Sequence, residues 1–215
     1  RIKTELRDVG SAISVVTKEF LRDTGATSNQ TLLQYTTNTE VGGIGGNFAG
    51  VGNGQLLNDS SARLSPNTNT RVRGLTFADN TRDYFLTDIA WDSFNTDRIE
   101  LQRGPNSILF GLGSPAGIIN GGLKKAEFRN SNEVEVRYGS YGSARGSLDF
   151  NRVILKDELA VRIAALDDKT QYRQKPAYNA DHRIYGAVRY DPKFIKIDGA
   201  HTRIDINYEK GDINA

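Results

Sequence analysis

Cysteine is absent from this 215-residue chain. That excludes a disulfide, a thiolate nucleophile and a zinc–thiolate site. Only two histidines occur, His182 and His201, so a multi-histidine metal centre is excluded too. No run of eighteen apolar residues exists, and a transmembrane helix needs about that many. No secretory signal peptide is visible. Proline is scarce, at five residues. Apolar residues make up only 37%. That value is low for a soluble globular domain and fits a loop-rich protein or a β-barrel with half-polar strands. The net charge is +2, with no block of Lys and Arg, which argues against a nucleic-acid binder. The chain starts abruptly at Arg1 and stops at Ala215 after a strand-like segment. Both ends are expected to be cuts in a longer protein.

What is present divides near residue 128. The first part, expected as a domain over residues 1–127, mixes short helical and strand patterns with glycine-rich loops. Ala12 to Val16 is a short β-branched run. Thr17 is placed to cap a helix that stops at Gly25. Ser28 is placed to cap a second helix containing Leu32, Leu33 and Tyr35. Positions 41–54 hold seven glycines in fourteen residues, too many for a stable helix or strand. This reads as a long loop continuing to Thr70, and loops of that length carry function or are disordered. Strand-like segments follow at Thr70–Arg73, Tyr84–Ile89, Arg98–Gln102 and Gly117–Asn120.

The second part, residues 128–215, is strand after strand. Val134, Val136 and Tyr138 alternate with Glu133, Glu135 and Arg137. Leu148 and Phe150 alternate with Arg145, Asp149 and Asn151. The same period of two recurs at Leu159–Ala165, Ile184–Tyr190 and Ile204–Tyr208. Each segment is about nine to eleven residues, the length of a tilted strand crossing a bilayer. A soluble antiparallel sheet with one wet face gives the same alternation. Heavily charged polar faces favour a membrane barrel. So does an expected alternation of short connections (Gly139–Ser143, Val153–Glu158) with a longer one (Asp168–His182).

One segment is far more specific. Arg98 to Asn120 reads RIELQRGPNSILFGLGSPAGIIN, Arg71 to Gly74 reads RVRG, and Ile13 to Phe20 reads ISVVTKEF. Together these resemble the plug domain of TonB-dependent outer-membrane receptors. Glu133 to Asn151 is similar to that family's first barrel hairpin, so the resemblance spans nearly the whole chain. The SP in GLGSPAG looks more like the ferric-siderophore branch. Two stretches depart from the pattern: YFLTDIAW at Tyr84–Trp91 lacks the usual DG turn, and NGGLKK follows Ile119.

The resemblance implies an α+β plug, a small mixed sheet with short helices, followed by the first antiparallel strands of a transmembrane β-barrel of about 22 strands. It implies import across the outer membrane of a Gram-negative bacterium, with the plug gating the barrel. The cargo would be a ferric siderophore or a similar scarce nutrient. The implied partners are TonB with ExbB and ExbD, engaged through a TonB box upstream of Arg1, and outer-membrane lipid. Neither nucleic acid nor a cofactor is implied. Arg73 and Arg103 would pair with acidic residues on the barrel wall beyond residue 215, with Glu100 in the same network. A buried guanidinium needs such a partner, whereas a surface arginine does not. Gly74, Gly104, Pro105, Gly111, Gly113 and Gly117 would form the turns of the plug signature. The alternative, a phosphate-cradling loop, lacks the required spacing and the following helix. Substrate would meet loops around Arg63, Asp79, Asn80, Trp91 and Phe94, since aromatics stack and arginine suits an anionic chelate. Trp91 and Phe94 could equally be core. No catalytic constellation stands out. A soluble β-rich binding module or adhesin is the rival reading.

Overall fold

The computed structural model describes residues 12–42, 46–47, 70–75, 77–104, 114–194 and 201–214. Arg63, Pro105, Gly111 and Gly113 lie outside the described residues, as does most of the glycine-rich stretch. The chain divides into two compact units, Arg1–Leu123 and Lys124–Ala215.

In the first unit, β1 (Ala12–Thr17) leads directly into α1 (Lys18–Thr24). Thr17 caps it by accepting the Phe20 N–H, and Gly25 ends it in the left-handed conformation at φ 70°, as a glycine C-cap should. Ser28 opens α2 (Asn29–Leu32), whose capping box is closed by Thr31, and a 3₁₀ turn continues through Leu33–Tyr35. β2 (Thr39–Val41) pairs with β3 (Thr70–Val72). β4 (Asp79–Arg82), β5 (Phe85–Leu86), β6 (Thr96–Arg103) and β7 (Gly117–Leu123) complete a mixed sheet in the order β1-β6-β7-β4-β5. Only the β4–β7 pairing is parallel among these. Leu21, Leu32, Leu33, Val72, Trp91, Ile99, Leu101 and Ile119 belong to the apolar core.

The strand expected over Tyr84–Ile89 is corrected. Asp83 and Tyr84 both have positive φ, 45° and 72°, and form the turn between β4 and β5. β4 reads DNTR, with no apolar alternation to reveal it. Its buried Asn80 and Thr81 are satisfied instead by hydrogen bonds to Asn29 (2.9 Å) and Asn120 (2.9 Å).

The second unit is one antiparallel meander, β8 (Ser131–Tyr138), β9 (Ala144–Leu155), β10 (Leu159–Gln171), β11 (Tyr178–Tyr190) and β12 (Ile204–Asn214), paired in sequence order. Its burial is inverted. Val134, Val136, Ile163, Ile184 and Ile206 are each more than half exposed, whereas Arg145, Asp149, Asp168, Asp181 and Arg183 are buried. Residues 124–130 run across this charged face. Lys124 Nζ meets Asp149 at 2.9 Å, Tyr185 Oη donates to Lys124 O at 2.7 Å, and Arg162 donates to Lys125 O at 3.0 Å. Asn151 receives the Glu127 N–H and returns bonds to the Glu127 and Arg129 carbonyls. The buried charges are matched: Arg162 is bidentate to Asp149, Arg145 reaches Asp168 at 3.0 Å, and Arg183 is bidentate to Asp181.

The expected alternation of connection lengths does not hold. β10 continues to Gln171, so its connection to β11 shrinks to 172–177. The longest connection, 191–203, lies at the same end as the tight turn 156–158: the Asp191 N–H donates to Glu158 O at 2.8 Å. Asp168 and Lys169 read as loop residues in sequence, but they extend a strand.

Candidate functional site: an arginine pair in the first unit

Arg103 ends β6 and Arg73 follows β3, thirty residues apart in sequence. Local backbone brings them together. Arg73 sits in the left-handed region at φ 61° and Gly74 follows at 67°. Such a residue is uncommon outside glycine, asparagine and aspartate. Its N–H is held by Asn38 O at 2.8 Å. Gly104, at φ 98°, lacks the Cβ that would stand 3.3 Å from Arg73 Nη1. The Arg73 guanidinium therefore lies over the residue next to Arg103. A hollow of 320 Å³ beside it is lined by Asn38, Thr39, Glu40, Arg73 and Gly74.

Arg103 is held by neutral oxygens. Its Nε donates to Thr37 O at 3.2 Å, Nη1 to Ser14 Oγ at 2.9 Å and Nη2 to Thr37 Oγ1 at 3.4 Å. Burial lowers its pKa below the usual arginine value. No ion pair of Arg103 occurs among the described residues. Gly117 supports the same corner. At φ 133° its Cβ would fall 2.0 Å from Gln102 O, so only glycine lets β7 start against β6 there.

Glu100 lies elsewhere, in a network internal to the sheet. Its carboxylate accepts from Tyr84 Oη, from Arg98 Nε at 2.8 Å and from Asn120 Nδ2 at 3.3 Å. Burial alone would raise its pKa. The Tyr84 and Arg98 bonds and the Arg98 charge outweigh that and hold it below the usual carboxylate range. Tyr84 is fixed a second time, by its N–H to Asn120 Oδ1 at 2.8 Å. These two bonds offset the left-handed backbone, which costs roughly 1–2 kcal/mol for a residue with a Cβ.

The residues expected to face substrate are spread out. Trp91 and Phe94 are buried at 5% and 3% exposure, and the Trp91 indole N–H donates to Asn29. Asn80 is buried and bonded to Asn29. Asp79 accepts the Ser114 N–H at 2.6 Å. Phe85, Leu86 and Ile89, not singled out in sequence, are exposed. Ser14 and Thr37, which hold Arg103, carry no sequence signal of their own.

Residues 5–118 match the TonB-dependent Receptor Plug Domain, more than half the chain. The chain belongs to this family of receptors. It is 28% identical over 201 residues to the catecholate siderophore receptor Fiu of Escherichia coli O6:H1 (strain CFT073), covering 94% of this chain and 24% of that protein. It is 27% identical over 190 residues to the ferrichrome outer membrane transporter/phage receptor of Escherichia coli K12, covering 88% and 24%. The fold is similar to that of the ferripyoverdine receptor of the Pseudomonas aeruginosa outer membrane, with TM-score 0.78 and 19% identity over 99% of this chain and 27% of that one. A plug with a mixed sheet and few helices, followed by antiparallel receptor strands, is therefore the fold. The chain spans about a quarter of the length of the curated relatives it matches. Those relatives are receptors and transporters, and the family is not one of enzymes.

Proposed function

We propose that the parent protein imports a ferric siderophore across the outer membrane of a Gram-negative bacterium. Residues 1–127 act as its plug and residues 128–215 as the first strands of its wall. TonB, with ExbB and ExbD, supplies the pull through a segment before Arg1. Fiu and the ferrichrome transporter, the relatives described above, carry siderophores in their names. Arg73 and Arg103 act as latches: among the described residues the part-buried Arg103 guanidinium is held by neutral oxygens, the exposed Arg73 lies beside it, and an incoming carboxylate from the wall beyond residue 215 would satisfy the pair.

The observation that carries the membrane reading is the course of the apolar band on the outward face. On β8 the band reaches up to Tyr138. On β12 its upper limit is Tyr208, which lies in one row with Gly186, Ile163, Phe150 and Asn132. In the row Val134–Leu148–Ala165–Ile184–Lys210 the face is apolar at β8 and cationic at β12. The limit thus shifts by about six residues, roughly 20 Å, across four strand spacings of about 4.8 Å each. That is a slope near 45°, the tilt of strands in an outer-membrane barrel. Arg152 and Asn132, joined at 2.6 Å, lie below the band at its lower corner, and Ile154 beyond them is the exception. A soluble sheet offers no reason for an oblique limit.

The test is uptake. A strain lacking the full-length gene should fail to accumulate radiolabelled iron from at least one ferric siderophore, and the intact gene should restore it. Normal uptake of every siderophore the parent strain uses would overturn the cargo. Folding of the full-length protein in water without detergent would favour the soluble binding module instead.

A further inference from the structure

The first rung of the first strand is Ala12 opposite Arg103. The residue proposed as a latch is therefore the one that β1 meets at its N-terminal end. The side chain adds a second link to the same strand: Arg103 Nη1 donates to Ser14 Oγ at 2.9 Å. Ser14 and Ala12 lie on one face of β1, two residues apart. The rest of the guanidinium rests on Thr37, through its carbonyl and its hydroxyl. Asn38, the next residue, takes the Arg73 N–H. One short turn thus orders both arginines, and one edge strand touches Arg103.

We infer that Ser14 and Thr37 are positioning residues for the latch and that Ser14 couples β1 to it, so that displacing β1 from its N-terminal end unseats Arg103 before the rest of the sheet opens. The inference rests on the latch reading and on a pull that enters ahead of β1. Its physical basis is the order of the ladder. Force applied at the N-terminal end of β1 loads the Ala12–Arg103 rung first, and the Thr17–Arg98 rung last. Among the described residues β1 lies at the edge of its sheet, with β6 alone beside it in the ladder. When β1 leaves, Arg103 loses the Ser14 acceptor and keeps Thr37 alone. A guanidinium free on one side can no longer hold the fork geometry that a bidentate carboxylate requires.

The experiment uses the full-length receptor in planar lipid bilayers and reads ion leak with and without force on its N-terminal segment. Arg103→Gln should raise resting leak about tenfold. An unchanged leak in that variant overturns the latch reading and this inference with it. Ser14→Ala and Thr37→Val should each raise leak several-fold, and Ser14→Ala should also lower the force of the first rupture. In the Arg103→Gln background they should add nothing, because they act through Arg103. Ser14→Thr, which keeps the hydroxyl, should restore the wild-type values. The inference alone fails if Arg103→Gln leaks while Ser14→Ala and Thr37→Val are silent. It fails equally if their effects add fully to that of Arg103→Gln. Circular dichroism of each variant verifies that the sheet is intact.

Discussion

β6 and β8 are both eight-residue strands, yet they are opposite in what they hide. Ile99 and Leu101 of β6 are essentially buried, while Val134 and Val136 of β8 are 62% and 61% exposed. The core of the first unit follows the rule for proteins in water: its apolar side chains are inside, and buried Asn29 and Asn80, like Thr81 and Asn120, are hydrogen-bonded to one another. The second unit buries paired charges and turns its aliphatic side chains outward. Each exposed valine or isoleucine forgoes about 1.5–3 kcal/mol of burial in water. Against a hydrocarbon phase that cost disappears, and the charged face is the one that needs shelter. One continuous chain thus carries two solvent logics, and the change falls near residue 124.

The largest test of this contrast is on the charged face. Lys124 and Arg162 both depend on Asp149, and all three side chains are about a tenth exposed or less. Asp149→Ala removes the carboxylate that these two buried cations share. The expected loss is about 3–5 kcal/mol, measured by urea unfolding of the full-length receptor in lipid vesicles. A loss below about 1 kcal/mol would mean that water reaches this face freely.

The outward face gives a smaller, more discriminating number. Ile163 is 56% exposed in the middle of the apolar band. Ile163→Arg should cost about 2–4 kcal/mol in vesicles if a bilayer covers it. On a water-facing surface the same change stays within about 0.5 kcal/mol. Lys210, in the same sheet, already stands outside the oblique limit, so Lys210→Arg should be neutral in the same assay.

How much of this could be read from the residues differs between the units for the same physical reason. In the second unit the side-chain period is set by the backbone, so Val134–Tyr138 or Ile204–Tyr208 announces a strand without reference to its neighbours. The direction of burial is silent in the pattern, because alternation looks identical whichever face is wet. Only solvent exposure in the folded sheet distinguishes the two. In the first unit, Thr17, Gly25 and Ser28 act on their own next few residues, and the caps were legible. β4 was not, since Asn80 and Thr81 find their partners 51 and 39 residues away in sequence. The Arg98–Asn120 segment gave the family. It gave no hint that Glu100 faces Tyr84 or that Arg103 leans on Ser14 and Thr37. Those contacts depend on β1, β6 and the turn after Leu33–Tyr35 meeting in space.

Glu100 provides the smallest effect and one that should separate the units by pH. Its carboxylate is held in ionised form by Tyr84, Arg98 and Asn120, with its pKa below the ordinary carboxylate value. A group depressed on folding stabilises the native state above its unfolded pKa, near 4.3 for glutamate. That contribution is lost as pH falls through the folded value. Amide hydrogen exchange in β6 and β7 should therefore quicken at acid pH relative to neutrality in the wild type. Glu100→Gln cannot ionise, so its β6 and β7 amides should lack that increment of pH dependence. Tyr84→Phe removes one bond to the charged group and should cost about 1–3 kcal/mol at neutral pH. It should also release the left-handed turn at Asp83–Tyr84, seen as faster exchange at Leu86 than at Leu101. Equal acid sensitivity in wild type and Glu100→Gln would remove this carboxylate as the cause.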